Sequence, residues 1–159
     1  MRYFLLLLFC FGFSKADPIE DAIALTDKAF LALKGSLEVA MADGDISRAV
    51  EFCKNAAPSI TNQFEVRRIS EKYRNPLNAP TEEELLVLRA LKDKPISVVD
   101  GKLIHVYRPI YIKQDVCLKC HGELSEDLKT RIQSLYPDDQ ATGYKVGDLR
   151  GAWKVTYKQ

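Results

Sequence analysis

The sequence predicts an α+β domain with N-terminal helices packed on an antiparallel sheet. Two observations carry this reading. Apolar residues recur at three- and four-residue steps through the first part of the chain. From Pro95 onward the period changes to short runs of branched and aromatic residues bounded by turn signals. Helices first, then a hairpin and a late strand, is the order of an α+β domain and not of an alternating α/β one.

The chain opens with an export signal. Met1-Arg2 is positive, Tyr3 to Phe13 is apolar, and Ser14-Lys15-Ala16 places small residues to suit cleavage before Asp17. The apolar run is shorter than the ~20 residues a spanning helix needs, so residues 1–16 are expected to leave and the protein to be periplasmic, with an uncleaved anchor as the alternative. Residues 17–159 then form a single domain. Loss of Arg2 and Lys15 takes the formal charge from +1 to −1. With no basic run or stripe left, nothing points to nucleic acid or an anionic membrane.

The elements follow in order. Asp17-Pro18-Ile19-Glu20 is a helix start, with an Asp cap and Pro in the first turn. Ile23, Phe30, Leu33, Leu37 and Met41 continue the helix to about Ala42. Asp43-Gly44-Asp45 ends it, and Asp45 caps a second helix whose apolar face carries Ile46, Val50, Cys53, Ala57, Ile60 and Phe64, kinked at Pro58. Arg74 to Pro80 reads as a loop, and Thr81-Glu82-Glu83-Glu84 is a capping box for a shorter helix through Leu91. Pro95–Val99 and Lys102–Tyr111 form a hairpin around Asp100-Gly101. Ser125 caps a helix to about Leu135, and Ala152–Tyr157 alternates as a final strand.

Cysteine usage narrows the function. Cys10 leaves with the signal, so the mature chain keeps Cys53, Cys117 and Cys120. An odd number in an exported protein leaves one thiol that needs an explanation. Cys117 and Cys120 belong to the stretch CLKCHG, which ends in His121-Gly122. Two thiols at this spacing reach both vinyl groups on a porphyrin edge, and an adjacent imidazole can bend under the ring to the iron; CxxCH is the attachment sequence for haem c. A zinc site wants four protein ligands, and no second pair is present. A thioredoxin-like dithiol belongs in a βαβ unit, which this chain lacks. One covalent haem c is therefore expected on Cys117 and Cys120, with His121 on one face of the iron.

Cys53, His105 and Met41 are the side chains able to reach the other face. His105 lies in the alternating run Leu103–Tyr107, and its plainer reading is a strand histidine on the surface. Met41 closes a helical stripe and reads as helix-end packing. Cys53 reads equally well as a small core hydrophobe. Spacing leaves the choice open, with Cys53 first because it is the thiol without a role and His105 as the alternative.

Three stretches carry a resemblance: AVEFCKNAAPSI (Ala49–Ile60), RPIYIKQDVCLKCHG (Arg108–Gly122) and YPDDQATGYKVGDLRGAWKV (Tyr136–Val155). Together they resemble an exported c-type haem family with a PAS-like sensor fold, whose prototype is a cyanobacterial cytochrome. The resemblance covers nearly the whole of residues 17–159. It implies that His121 and Cys53 bind the two faces of the iron, and it sets the glycine-rich tail at the last strand of the haem pocket. Arg150 and Arg108 are candidates to pair with a haem propionate. Tyr107, Tyr111, Tyr144 and Trp153 are expected in the pocket wall and core.

Two function classes remain. A redox or gas sensor binding NO or CO is favoured by the PAS-like resemblance, and at this length it would signal through a separate protein partner. An electron-transfer cytochrome with a redox partner is the alternative, for which His/Met ligation is more usual. No separate acid–base constellation supports an enzyme.

Overall fold

The computed structural model describes residues 17–159, so the expected signal, residues 1–16, lies outside the described residues. Among the described residues, six α-helices, a short 3-10 helix (Pro76–Asn78) and one four-stranded sheet make up the fold. Helix α1 (Pro18–Ala40) starts as its sequence dictates, with the Asp17 side chain accepting from the Ile19 N–H, and Met41 closes it as the C-terminal cap. Its buried stripe differs from the expected one. Ala22, Thr26 and Ala29 are fully buried, whereas Phe30 is half-exposed. Small residues let the helix backbone lie close against the sheet, and that contact sets the helix rotation instead of the larger apolar side chains.

The second helix is two helices and not one kinked rod. Helix α2 (Ile46–Asn55) is capped by Asp45, the chain breaks at Ala56, and α3 (Ala57–Gln63) restarts with Pro58 in its first turn. Proline lacks the N–H that an uninterrupted helix would use there, while a first turn has no need of it. Strand β1 (Val66–Ile69) follows, an element without a clean apolar alternation in its sequence because Arg67 and Arg68 occupy its centre.

Helix α4 (Glu82–Ala90) carries the expected capping box between Thr81 and Glu84. Strands β2 (Ile96–Asp100) and β3 (Leu103–Tyr111) form the hairpin, with Asp100 opposite Leu103 and Gly101 at φ 58° in the turn. Helix α5 (Asp115–His121) carries the CxxCH run, and α6 (Glu126–Leu135) is capped by Ser125. Strand β4 (Leu149–Lys158) begins earlier than its alternation suggests.

The sheet order is β1-β4-β3-β2, antiparallel throughout. One face, with Val66, Val106, Trp153 and Val155, packs on α1. The other, with Ile69, Tyr107 and Ala152, packs on Leu88 and Leu91 of α4 and its end. Arg108 fastens α1 to the sheet by donating to the Ile23 carbonyl, Thr26 Oγ1 and Asp27 Oδ1 at 3.1, 2.7 and 2.7 Å. Across the opposite face, Glu84 is buried and accepts from Arg67 Nη1 and Lys154 Nζ at 2.7 and 2.9 Å, tying α4 to β1 and β4. Among the described residues no helix is long and apolar enough to cross a membrane.

Candidate functional site

Helix α5 turns the spacing of CxxCH into a shared face. Cys117, Cys120 and His121 lie three and four residues apart, and such positions are neighbours on a helix surface. Gly122 ends the helix, its N–H bonding the Leu118 carbonyl at 2.8 Å. An added Cβ there would meet that same oxygen at 2.8 Å, so the close turn after His121 requires glycine.

The loop after α6 locks this helix end. The N–H groups of Gly143 and Tyr144 bond the carbonyls of Gly122 and His121 at 3.0 and 2.9 Å. His121 Nδ1 donates to the Ala141 carbonyl at 2.8 Å, since a carbonyl can only accept. That bond fixes the tautomer and leaves Nε2 with a free lone pair. Burial, then the charges of Arg150 and Arg74, push the imidazole well below the ordinary histidine range, so it is neutral near pH 7. Tyr144 stands edge-on to the ring, with centroids 6.3 Å apart.

Arg74 anchors the loop. It pairs with Asp139 at 3.0 Å, and its Nη2 donates to the carbonyls of Cys120 and Ala141 at 2.7 and 3.3 Å. Both partners are nearly inaccessible, at 9% and 4% side-chain exposure. One guanidinium therefore holds the end of α5 and the loop that orients His121.

Cys53 comes to this cluster from α2, which packs on α5 and α6. Burial pushes its thiol up, against the pull of Arg68, Arg74 and Arg150. Burial likewise raises Cys120, which also feels the charge of Cys53. Cys53, Cys117 and Cys120 are all free thiols. Arg150 Nη1 donates to Ser70 Oγ and the Lys72 carbonyl at 2.6 and 3.1 Å, and its guanidinium lies 5.3 Å from the Tyr144 ring centre.

His105 is elsewhere. It shares the α4-side face of β3 with Tyr107, and its Nδ1 lies 2.9 Å from Thr156 Oγ1 on β4. Burial and then Lys154 lower its ring, and none of the groups around His121 acts on it. Arg108 is occupied by α1, and Met41 is the cap of that helix. Arg68, Arg74 and Ala141 are site residues that sequence reasoning missed. Adjacent strand residues point to opposite faces, so the Arg67-Arg68 pair obliged one guanidinium to face α1 and its neighbours.

The Tll0287-like family model matches residues 27–157. The chain belongs to the Tll0287-like family. Among solved structures it is similar to the cyanobacterial heme-protein Tll0287, with 28% identity and a TM-score of 0.54. That match covers 91% of this chain and 98% of the other. No curated protein matches the chain. The family assignment agrees with the resemblance seen in the three sequence stretches.

Proposed function

We propose that this protein is a periplasmic haem protein that carries one haem c on Cys117 and Cys120, with His121 and Cys53 on the two faces of the iron. The observation that carries the reading is the convergence of α5 and α2. Two free thiols and a neutral imidazole with an open Nε2 share one helix, and a third thiol faces the same cluster of arginines. The heme-protein in the solved relative supports the same cofactor. The residues fit the group: the thiols are unpaired, the tautomer is set for ligation, and a guanidinium nitrogen near the site is buried without an acceptor.

When bound, the haem supplies one-electron chemistry and a face for a diatomic gas. The protein's own part is to hold His121 rigidly and Cys53 conditionally. His121 is fixed by Ala141, which Arg74 and Asp139 hold in turn. Cys53 has no such brace and sits on a ten-residue helix. Cys53 would hold ferric iron better than ferrous, since an anionic thiolate favours the ferric state, and protonation of its sulfur would compete with that hold as pH falls. Release of Cys53 would free the position for NO or CO and let α2 move, which is the behaviour of a redox or gas sensor with a PAS-like fold and a separate protein partner. Electron transfer is the second reading, favoured if Cys53 stays bound in both oxidation states.

The test is spectroscopic. Ferric wild-type protein should be low-spin with a thiolate-type spectrum that Cys53→Ala removes and His105→Ala preserves. A spectrum indifferent to Cys53→Ala but altered by His105→Ala would make the iron bis-histidine and refute the assignment. Reduced protein that ignores both gases would favour electron transfer.

A further inference from the structure

Arg68 is left unexplained by the fold. It lies on β1 opposite Trp153, on the sheet face that carries Val66 and packs on α1. Its Nε is the buried side-chain nitrogen without a hydrogen-bond partner among the described residues. Buried polar groups are almost always satisfied, and Arg68 is half-buried with this one nitrogen shut from water and unpaired.

Its neighbours sharpen the point. Among the described residues Arg48, Arg67, Arg74, Arg89, Arg108 and Arg131 each pair with a carboxylate. The two remaining arginines, Arg68 and Arg150, meet at one strand end: Arg150 bonds Ser70, two residues beyond Arg68, and lies 5.3 Å from the Tyr144 ring, which stands edge-on to His121. Among the described residues Arg150 donates to the neutral oxygens of Ser70 and Lys72, and it borders a cavity of ≈ 320 Å³ with Tyr144, Gly151 and Glu71, whose carboxylate is paired with Arg89. Two arginines without a carboxylate partner thus stand near one strand end, and a haem brings two ionised carboxylates on one edge of its ring. The charges match.

We propose that Arg68 is a haem-propionate receptor, its guanidinium taking one carboxylate while Arg150 faces the other. The inference rests on the haem reading above. The pairing is a charge-assisted hydrogen bond with planar, two-pronged geometry, which lysine cannot reproduce in full. The charge of Arg68 also reaches Cys53, so a test has to read the carboxylates themselves.

The experiment follows the propionates directly. Wild-type, Arg68→Leu and Arg68→Lys proteins are matured with haem carrying ¹³C at its carboxyl carbons, and redox-difference infrared spectra are recorded across pH 4 to 8. The label separates these carboxyls from Cys53 and from every protein carboxylate. In wild type both should stay ionised to the acid side of the ordinary carboxylic range of about 4 to 5. In Arg68→Leu one should bind a proton at least about tenfold more tightly, a shift of about one pH unit or more, and Arg68→Lys should fall between. Haem-loaded Arg68→Leu with an unchanged labelled carboxyl titration overturns the proposal. If Arg68→Leu does not accumulate, Arg68→Lys decides, because an unshifted ¹³C carboxylate band in that variant also overturns it. A shift confined to the sulfur-to-iron charge-transfer band, with the carboxyl titration unmoved, would leave Arg68 as a neighbour of Cys53 alone and equally sink it. Wild-type protein that gains no haem refutes the haem reading itself, a different failure.

Discussion

Arg74→Met would remove the guanidinium that joins the end of α5 to the His121-orienting loop. Asp139, with its side chain 4% exposed, would keep one partner among the described residues, the Ala141 N–H at 3.0 Å. The Cys120 carbonyl would also lose its 2.7 Å donor. Breaking one half of a buried ion pair costs about 3–5 kcal/mol, mostly because the other charge is stranded. We expect a loss of about 4 kcal/mol, which for a chain of this length lowers Tm by roughly 8–16 °C. Urea unfolding followed by the fluorescence of Trp153 measures it, since Trp153 is the sole tryptophan. Adding Asp139→Leu should recover about half of the loss, because the stranded charge is then gone. A loss under about 1 kcal/mol, or no recovery in the double variant, would refute this account of the loop.

Gly151→Ala should cost about 3 kcal/mol or prevent folding, because φ is 152° and a Cβ would lie 2.2 Å from the Ile69 carbonyl oxygen; wild-type thermal stability would contradict the β1–β4 geometry. Glu84 gives an acid-sensitivity test. Burial alone would raise its carboxyl, but hydrogen bonds from Lys154, Thr81 and Arg67 outweigh it and the net shift is downward. Its folded value thus lies below the unfolded one, so its stabilisation is present above about pH 4.3 and fades as pH falls through the folded value. Glu84→Gln should flatten the fall in urea midpoint at acid pH, and an unchanged profile would discount the network. His105→Ala should cost no more than about 1 kcal/mol, as its one side-chain bond is to Thr156; a larger loss by urea unfolding would mean that His105 supports more than β3 and β4.

The local chemistry of turns and caps made much of the fold legible. Asp17, Asp45, Thr81 and Ser125 each cap the helix expected of them, and Asp100-Gly101 turns the hairpin. Strand β1 was hidden because its two central arginines mask the apolar alternation, one of them paired with Glu84 across the sheet. Helix α5 was hidden because seven residues are too few to show a period. The motif residues themselves could be picked out one by one. Their supports could not, since Arg74, Asp139 and Ala141 come from loops distant in sequence and carry no spacing rule relative to Cys117. Phe30 shows the limit of periodicity: its position fits an apolar stripe, yet the tighter packing of Ala22, Thr26 and Ala29 turns it outward.

The central claim is that Cys117 and Cys120 hold a haem through covalent bonds. Intact mass spectrometry after denaturation and acid–acetone extraction tests it most directly, on protein expressed with a c-type maturation system. The account predicts a polypeptide beginning at Asp17 that retains the mass of one haem, and loses it in the Cys117→Ala, Cys120→Ala double variant. Unmodified wild-type polypeptide, with its haem extracted or with a tightly bound zinc in its place, would contradict it.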